Sequence, residues 1–489
     1  MQGSRRVNNR LSGYGLCMLL WLTMTSAKAM VSDTSGVERP LNVLFVACDD
    51  LRADLGAYGH PGVKTPNLDK LAKYSLVFSR AYTQQALCAP SRLSLMTGRR
   101  PDSLKSWNLT SPIRRTSDIV TLPEAFRDAG YFTQNIGKIY HNWHVDGHVD
   151  YPRSWSVPPV MHYGTHGADT PHVAGQLPED FATTRWTSSI DVPDEAYYDG
   201  RIAAAATAAL DSLGKHPEQP FFLAVGFWKP HVPFNAPKRY WDMYDRADIP
   251  AVQPATPPVG VPLVALHDSW EFFRGQPNTL TAAATQELRH GYLAAISYLD
   301  AQVGKLLDAL KQSGLDQNTI IVFWSDHGFH LGEHALWGKT SNFELDARTP
   351  LMVHVPGMAT GGQQTASLVE LLDIYPTLLD LCGINYPVGL QGTSLVPVLA
   401  NPGAIVKEAA FTQHPRPSYY KGAPEAMGYS VRTDRWRYTE WVDWQTGKVI
   451  DAELYDHHTD PDETINLAPE SEHGTLIKQL SGLLNEAKK

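Results

Sequence analysis

Continuous apolar runs recur along the chain, and apolar residues at helical spacing fill the intervals between them. The runs cover residues 41–48, 221–225, 320–324 and 351–355. Each run is typical of a strand that is buried on both faces of a parallel sheet. The helical patterns cover residues 123–129, 196–213 and 282–315. Strands that alternate with helices predict an α/β fold with a mostly parallel sheet flanked by helices.

The pattern changes after about residue 400. Residues 428–433 and 435–441 are typical of short antiparallel strands, because aromatic and β-branched residues dominate them. Residues 453–467 are rich in turn formers, and a final helix is predicted from about Thr475. We therefore predict a large mixed, mostly parallel sheet over residues 38–400. A smaller C-terminal α+β subdomain with an antiparallel sheet is predicted over residues 401–489.

Acidic pairs follow two of the apolar runs. Asp49-Asp50 comes directly after the first run, and Asp326-His327 comes just after the third. One such pair alone is typical of a loop cap. Since the carboxyl ends of parallel strands meet at one edge of a sheet, the two pairs together indicate a single cation site. Carboxylates suit Ca²⁺, with Mg²⁺ as the alternative, although a histidine is less usual for Ca²⁺.

The N-terminus has the pattern of a secretory leader. Arg5, Arg6 and Arg10 form a basic region, residues 16–22 are apolar, and Ala27-Lys28-Ala29 fits a cleavage site. The apolar run is shorter than the ~20 residues of a membrane-spanning helix. We predict a signal peptide over residues 1–29, export to the periplasm or the medium, and no membrane span in the mature chain.

Charge and cysteine content narrow the function classes. The net charge of −9 over 489 residues disfavours non-specific binding to nucleic acid. An anionic substrate must therefore meet a local cluster of cations. Cys48 and Cys382 lie in apolar contexts and are predicted to be buried thiols, so the chain is not a disulfide scaffold despite its export signal.

Cys88 differs from these cysteines because of its neighbours. Cys88-Ala89-Pro90-Ser91-Arg92-Leu93 is followed by Thr97-Gly98-Arg99. The plain alternative is a buried cysteine at a helix start. The added Ser, Leu and Thr-Gly-Arg favour instead the resemblance to the signature that directs oxidation of a cysteine to formylglycine in type I sulfatases. Residues 91–97 are predicted to begin a helix with Cys88 near its N-terminus, where free N–H groups bind anions.

Further cations stand in short loop motifs. The motifs are Gly137-Lys138-Ile139-Tyr140-His141, Lys229-Pro230-His231-Val232-Pro233 and Trp337-Gly338-Lys339. A lone lysine is usually a solvated charge, and a lone histidine is often a core residue. Here the neighbouring glycines and prolines, in loops after strands, favour a functional role for Lys138, His141, His231 and Lys339.

Together these residues resemble the sulfatases of the alkaline phosphatase superfamily, and within them the iduronate-2-sulfatase group. The resemblance rests on segments spread along the chain: Cys48-Asp49-Asp50-Leu51-Arg52, Phe222-Leu223-Ala224-Val225-Gly226, Lys229-Pro230-His231, Ser325-Asp326-His327-Gly328, Leu331-Gly332-Glu333-His334, Ser341-Asn342-Phe343 and Met427-Gly428-Tyr429-Ser430. It implies an alkaline phosphatase-like fold with a catalytic domain over residues 38–400. It also implies a formylglycine made from Cys88 by a maturation enzyme.

The resemblance also implies a role for each site residue. The metal ligands it implies are Asp49, Asp50, modified Cys88, Asp326 and His327. Arg92 and Lys138 would steady the formylglycine, and His141 would position or deprotonate its hydroxyl. His231 and Lys339 would contact the sulfate and aid the leaving oxygen.

The implied reaction is removal of sulfate from a sulfated carbohydrate, such as a glycosaminoglycan or algal polysaccharide fragment. Phe329 stands where that group tends to carry another aromatic residue near the substrate, which indicates a different sugar pocket. Two other functions stay open. One is a phosphodiesterase or phosphonate monoester hydrolase that uses the same formylglycine. The other is a non-catalytic sulfated-glycan-binding protein in which Cys88 is never matured.

Overall fold

A computed structural model describes residues 30–32, 38–109, 119–141, 153–160, 186–274 and 280–488 of the chain. The predicted leader over residues 1–29 lies outside this part. The strands are β1 (Met30–Ser32), β2 (Glu38–Pro40), β3 (Asn42–Asp49), β4 (Leu76–Tyr82), β5 (Phe132–Gly137), β6 (Thr187–Ser188), β7 (Phe221–Pro230), β8 (Phe234–Asn235), β9 (Thr319–Ser325), β10 (His330–Leu331), β11 (Trp337–Gly338), β12 (Arg348–His354), β13 (Gln364–Thr365), β14 (Val369–Glu370), β15 (Ala410–Arg416), β16 (Ala426–Arg432), β17 (Trp436–Asp443) and β18 (Val449–Asp456).

The helices are α1 (Pro66–Ala72), α2 (Cys88–Thr97), α3 (Pro101–Leu104), α4 (Leu122–Asp128), α5 (Tyr198–Leu213), α6 (Lys238–Trp241), α7 (Trp270–Phe273), α8 (Ala282–Gln312), α9 (Glu344–Ala347), α10 (Ile374–Cys382), α11 (Val396–Ala400) and α12 (Gly474–Ala487). Within the described ranges, none of them combines the length and the hydrophobicity that crossing a bilayer requires.

The central sheet has eight strands in the order β13-β4-β12-β9-β3-β7-β5, with β14 paired to β4. β3 is parallel to β7 and β9, and β5 is parallel to β7. β12 is antiparallel to both of its neighbours, β9 and β4. The sheet is therefore mixed and mostly parallel, as predicted. The apolar run in β12 is as continuous as those of the parallel strands, so it does not reveal the direction of the strand.

Both faces of the sheet are covered by helices. Along β3, Leu44 and Val46 belong to one apolar cluster with α1, α5 and α8. Val43 and Phe45 point to the other face and pack with α2, α4 and α10. Side chains alternate between faces with a period of two, so a strand buried on both sides must be apolar at every position. This explains the continuous runs in the sequence.

The C-terminal subdomain is an antiparallel sheet of four strands, β15-β16-β17-β18, with α12 packed on it. Its core contains Val431, Tyr438 and Leu454 from the sheet, and Leu480 and Leu484 from α12. The antiparallel strands and the final helix confirm the sequence prediction. The segment predicted to be turn-rich from residue 453 begins inside β18 instead. The domain boundary at residue 400 stays a prediction.

The buried carboxyl group of Glu453 should make stability depend on pH. Glu453 lies on β18 and accepts hydrogen bonds from Trp441 Nε1 (2.8 Å) and the Tyr455 hydroxyl (2.9 Å). Burial raises its pKa from 4.5 to about 7. The folded chain thus keeps a proton that the unfolded chain releases, so stability falls as pH rises between these values, by at most about 3 kcal/mol. Urea unfolding of Glu453→Gln and wild type at pH 5 and pH 8 checks this; the variant should lose less stability, and an equal loss would contradict the assignment.

Candidate functional site

Two neighbouring strands deliver the acidic pairs to one point. β3 and β9 are parallel with Cys48 opposite Ser325, so Asp49-Asp50 and Asp326-His327 leave the sheet side by side. The Asp50 N–H donates to Asp326 Oδ1 at 3.1 Å. Asp50 also adopts a φ of 62°, in the left-handed region that is uncommon for residues other than glycine. Such backbone strain persists where the surrounding structure enforces it, and it is frequent at functional sites.

Cys88 meets these residues from the first turn of α2. Its Sγ atom lies 3.4 Å from Nε2 of His327. The potential ligand atoms form two groups that share Cys88, and within each group all the atoms lie within 4.8 Å of one another. One group contains Asp49, Asp50, Cys88 and His231, and the other contains Cys88, Asp326 and His327. The structure therefore brings together all five residues predicted to hold a metal, and all of them are buried.

The donor set fits a divalent cation. Carboxylate oxygens of Asp49, Asp50 and Asp326 converge without contact with solvent. His327 Nδ1 lies 2.9 Å from the Gly328 carbonyl, to which it donates, so the lone pair of Nε2 is turned toward Cys88 and Asp50. Burial raises the pKa of Asp50, and the charge of Asp49 raises it further. A bound cation would offset both costs, and oxygen-rich donors favour Ca²⁺ or Mg²⁺.

Arg92 and Lys138 hold the acidic residues in place. The guanidinium of Arg92 is fully buried and contacts Asp326 Oδ2 at 2.9 Å and Asp49 Oδ1 at 3.2 Å. It also donates to the carbonyls of Cys48 (2.8 Å) and Lys138 (2.7 Å). Lys138 Nζ pairs with the other oxygen of Asp49. Arg92 thus joins α2 to the ends of β3, β5 and β9.

The unmodified thiol of Cys88 is a poor nucleophile. Burial raises its pKa, and Asp49 raises it further, while Lys138 and Lys339 act in the opposite direction. Since the thiolate is the reactive form of cysteine, burial works against direct use of the Cys88 sulfur as a nucleophile.

His231 and Lys339 close the opposite side of the site. His231 Nδ1 lies 2.6 Å from the Val232 carbonyl, and Nε2 lies 3.5 Å from Asp50 Oδ2. Lys339 Nζ lies 2.9 Å from both oxygens of Asp50. His141 lies buried three residues after Lys138, on the connection that follows β5. Direct contacts connect Asp49, Asp50, Cys88, Arg92, Lys138, His231, Asp326, His327 and Lys339.

Glu271 is a site residue that the sequence did not reveal. It lies on α7, and its Oε1 atom is 3.1 Å from His231 Nε2 and 3.2 Å from Lys339 Nζ. Lys339 and His231 hold the pKa of Glu271 below its usual range against the effect of burial. No sequence motif surrounds Glu271, so only the folded chain shows its proximity to the cations.

The prediction for Phe329 needs correction. The ring is completely buried rather than facing a substrate, and it stacks on Tyr292 at a centroid distance of 6.1 Å. Lys339 Nζ lies 5.9 Å from its centroid. Phe329 therefore supports the position of Lys339 from within the core. Cys48 is buried and Cys382 half-buried, and both are free thiols as predicted.

Comparisons with known proteins identify the family of the chain. Residues 41–384 match the sulfatase family model, and residues 332–489 match the model of the N-sulphoglucosamine sulphohydrolase C-terminal region. Iduronate 2-sulfatase of Homo sapiens is 33% identical, over 94% of this chain and 98% of its own length.

Solved structures share the fold. BT4656, in complex with its substrate D-glucosamine-2-N,6-O-disulfate, has a TM-score of 0.72 at 23% identity and covers 92% of this chain and 98% of its own. A phosphonate monoester hydrolase from Silicibacter pomeroyi has a TM-score of 0.74 at 23% identity and covers 91% of this chain and 94% of its own. At this identity the likeness concerns the fold alone. The family match and the 33% identity to a curated sulfatase show that the chain belongs to the sulfatase family.

Proposed function

We propose that this sulfuric ester hydrolase removes sulfate from a sulfated carbohydrate, such as a fragment of a glycosaminoglycan or of an algal polysaccharide. The observation that supports it most is the position of Cys88 at the start of α2, between an acidic cluster and the cations Lys138 and Lys339. The relative that shares 33% identity is an iduronate 2-sulfatase. Export after cleavage of residues 1–29 belongs to the same proposal, since sulfated polysaccharides lie outside cells.

Two groups complete the site in this proposal. Asp49, Asp50, Asp326, His327 and modified Cys88 would hold one divalent cation, most suitably Ca²⁺, which supplies positive charge to a sulfate oxygen. Formylglycine made from Cys88 by a maturation enzyme supplies, when hydrated, two hydroxyl groups on one carbon, one to attack sulfur and one to release sulfate.

The side chains of the chain have distinct tasks around these groups. Arg92 and Lys138 hold the acidic cluster by buried ion pairs, and they would steady the formylglycine at position 88. His141 is proposed to position or deprotonate the attacking hydroxyl. Lys339 would hold the sulfate by its charge, and its place beside Asp50 puts that charge next to the cation site. His231 would donate a proton to the leaving sugar oxygen, because a sugar alkoxide leaves poorly without one.

A substrate panel tests the proposed function directly. The matured enzyme should hydrolyse an aryl sulfate and sulfated oligosaccharides faster than an aryl phosphodiester or a phosphonate monoester. The reverse order would favour a phosphonate monoester hydrolase activity, since this chain shares its fold with such an enzyme. The intact mass of a tryptic fragment containing Cys88 shows whether the thiol has become an aldehyde. A matured protein that hydrolyses none of these esters would favour a glycan-binding protein.

The proton-donor role of His231 predicts a dependence on the leaving group. His231→Ala should slow hydrolysis of a sulfated sugar about 10²–10⁴-fold, the usual contribution of general acid catalysis. Hydrolysis of an activated aryl sulfate, whose leaving oxide needs no proton, should fall much less. Steady-state kinetics of both substrates with the variant and the wild type provide the measurement.

Lys339→Met is the matched control for this experiment. If Lys339 binds only by charge, its loss should slow both substrates by a similar factor. Equal losses on both substrates in His231→Ala would contradict the acid role and leave His231 as a second sulfate-binding cation.

A further inference from the structure

An aromatic pair lies at the rim of the site and is not used by the proposed chemistry. Trp270 begins α7, and 39% of its surface is exposed. Its ring packs against Tyr419, with a centroid distance of 5.0 Å and an interplanar angle of 39°. Tyr419 is half-buried, so Trp270 supplies most of the exposed aromatic surface of the pair. Aromatic surface that is exposed beside a polar site is typical of a binding surface.

The pair is tied to the catalytic centre through α7. Glu271, the residue after Trp270, contacts both His231 and Lys339. Ser269, the residue before it, accepts a hydrogen bond from the N–H of Trp337 at 2.9 Å, on the short strand β11 that leads into Lys339. Burial raises the pKa of Tyr419, and the Glu271 carboxylate raises it further, as expected for a phenol close to that side chain. Trp270 and Tyr419 therefore border the sulfate-facing side of the site.

A cation completes this rim. Arg274 ends α7, is exposed, and places its guanidinium 4.2 Å from the centroid of the Trp270 ring. Within the described ranges Arg274 forms no ion pair with a carboxylate. A guanidinium that packs on an indole can still donate its N–H groups to a carboxylate or a sulfate.

Arg416 makes the rim rigid. Its guanidinium donates to the carbonyls of Val264 (2.8 Å) and Ala265 (2.7 Å), in the segment that precedes α7, and to the carbonyl of Thr340 (2.9 Å). Arg416 is the last residue of β15 in the C-terminal subdomain, three residues before Tyr419. The two halves of the aromatic pair come from different subdomains, and the hydrogen bonds of Arg416 link the two segments that carry them.

We propose that Trp270, Tyr419 and Arg274 form a subsite for the sugar next to the sulfated one, and that this neighbouring sugar carries an anionic group. The rings would cover the face of the sugar, and Arg274 would bind its carboxylate or second sulfate. The inference rests on the proposed function, which it extends from a single sulfated sugar to an anionic oligosaccharide. The net charge of −9 makes this local cation the more significant for such a ligand.

The test compares matured full-length enzymes on matched substrates. One is a sulfated monosaccharide, and three are disaccharides in which the second sugar is neutral, carboxylated or sulfated. Arg274→Met should lower kcat/KM for the anionic disaccharides, relative to the monosaccharide, about 10- to 100-fold, the range for loss of a hydrogen bond to a charged group. Trp270→Ala should lower the same ratio for all three disaccharides. Comparison of kcat/KM for the carboxylated and the sulfated disaccharide shows which anion the wild type prefers.

Arg435→Met is the control, because Arg435 also lies over an indole, that of Trp436 at 4.5 Å, but pairs with Asp456 away from the site. This variant should leave the ratios unchanged. Calorimetric binding of the sulfate-free anionic disaccharide measures the subsite without turnover. Weaker binding in Arg274→Met would support the subsite even if the wild type hydrolysed no sulfated sugar, a result that would count against the proposed function alone. Unchanged ratios and unchanged binding in both Arg274→Met and Trp270→Ala would overturn the subsite.

Discussion

Replacement of Cys88 by alanine should abolish hydrolysis of sulfate esters while the protein remains folded. The residue is 1% exposed and belongs to both groups of potential metal ligands. Without it no group can carry the two hydroxyls that the proposed reaction needs. We expect kcat to fall at least about 10³-fold, as is usual when a covalent nucleophile is removed. Turnover of an aryl sulfate and of a sulfated sugar gives the measurement.

The control for this variant is Cys382→Ala, which removes a half-buried thiol at the end of α10, far along the chain from the site residues. It should keep its turnover. Circular dichroism and the thermal midpoint establish that both variants are folded. Near wild-type turnover by purified Cys88→Ala would contradict the proposal that residue 88 provides the nucleophile.

Asp326→Asn should have the second largest effect, because it removes charge from the proposed cation site without changing the volume of the side chain. The Asp326 carboxylate accepts hydrogen bonds from the Asp50 N–H and from the Arg92 guanidinium. An asparagine has the same size, but it leaves Arg92 with one fewer carboxylate partner. We expect the content of divalent metal per chain to fall, and activity to fall by more than about 100-fold, beyond the usual effect of outer ligand contacts.

Elemental analysis of the purified variant and wild type measures the metal content. Asp54→Asn serves as the control, since Asp54 follows β3, the strand that carries Asp49, but pairs with Arg52. Its metal content should match the wild type. Equal metal in wild type and Asp326→Asn would count against the proposed ligand set, and restoration of activity by added Ca²⁺ or Mg²⁺ would show which ion the site prefers.

Much of the central sheet could be predicted because its middle strands are buried on both faces. β3, β7 and β9 have continuous apolar sequences for that reason. β5 was missed, since it is an edge strand and carries the polar residues Thr133, Gln134 and Asn135. β4 was missed too, because Ser79 and Arg80 interrupt its apolar run and are half-buried. Apolar sequence reports burial, and it says little about strands at the margin of a sheet.

The candidate site was predictable where a motif surrounds each residue. Asp49-Asp50 and Asp326-His327 follow two strands that we expected to be parallel, so their convergence follows from the topology, whereas Cys88 was identified by its motif alone. Glu271 had no such signal. It lies on a helix of four residues, 68 positions before Lys339, and it joins the site only through side-chain contacts. Trp270 and Tyr419 are paired across subdomains in the same way, and no local pattern reports such a pair.

The hydrogen bonds of Arg416 also limit how this protein can be recombined with its relatives. In a chimaera that exchanges only the C-terminal subdomain, Arg416 and Tyr419 would be replaced by the relative's own residues at those positions, beside an unchanged Trp270 and segment before α7. Residues 262–274 and the segment around Tyr419 therefore act as one structural unit, although 144 residues lie between Arg274 and Tyr419. Exchange of substrate preference between relatives should require both segments to be transferred together.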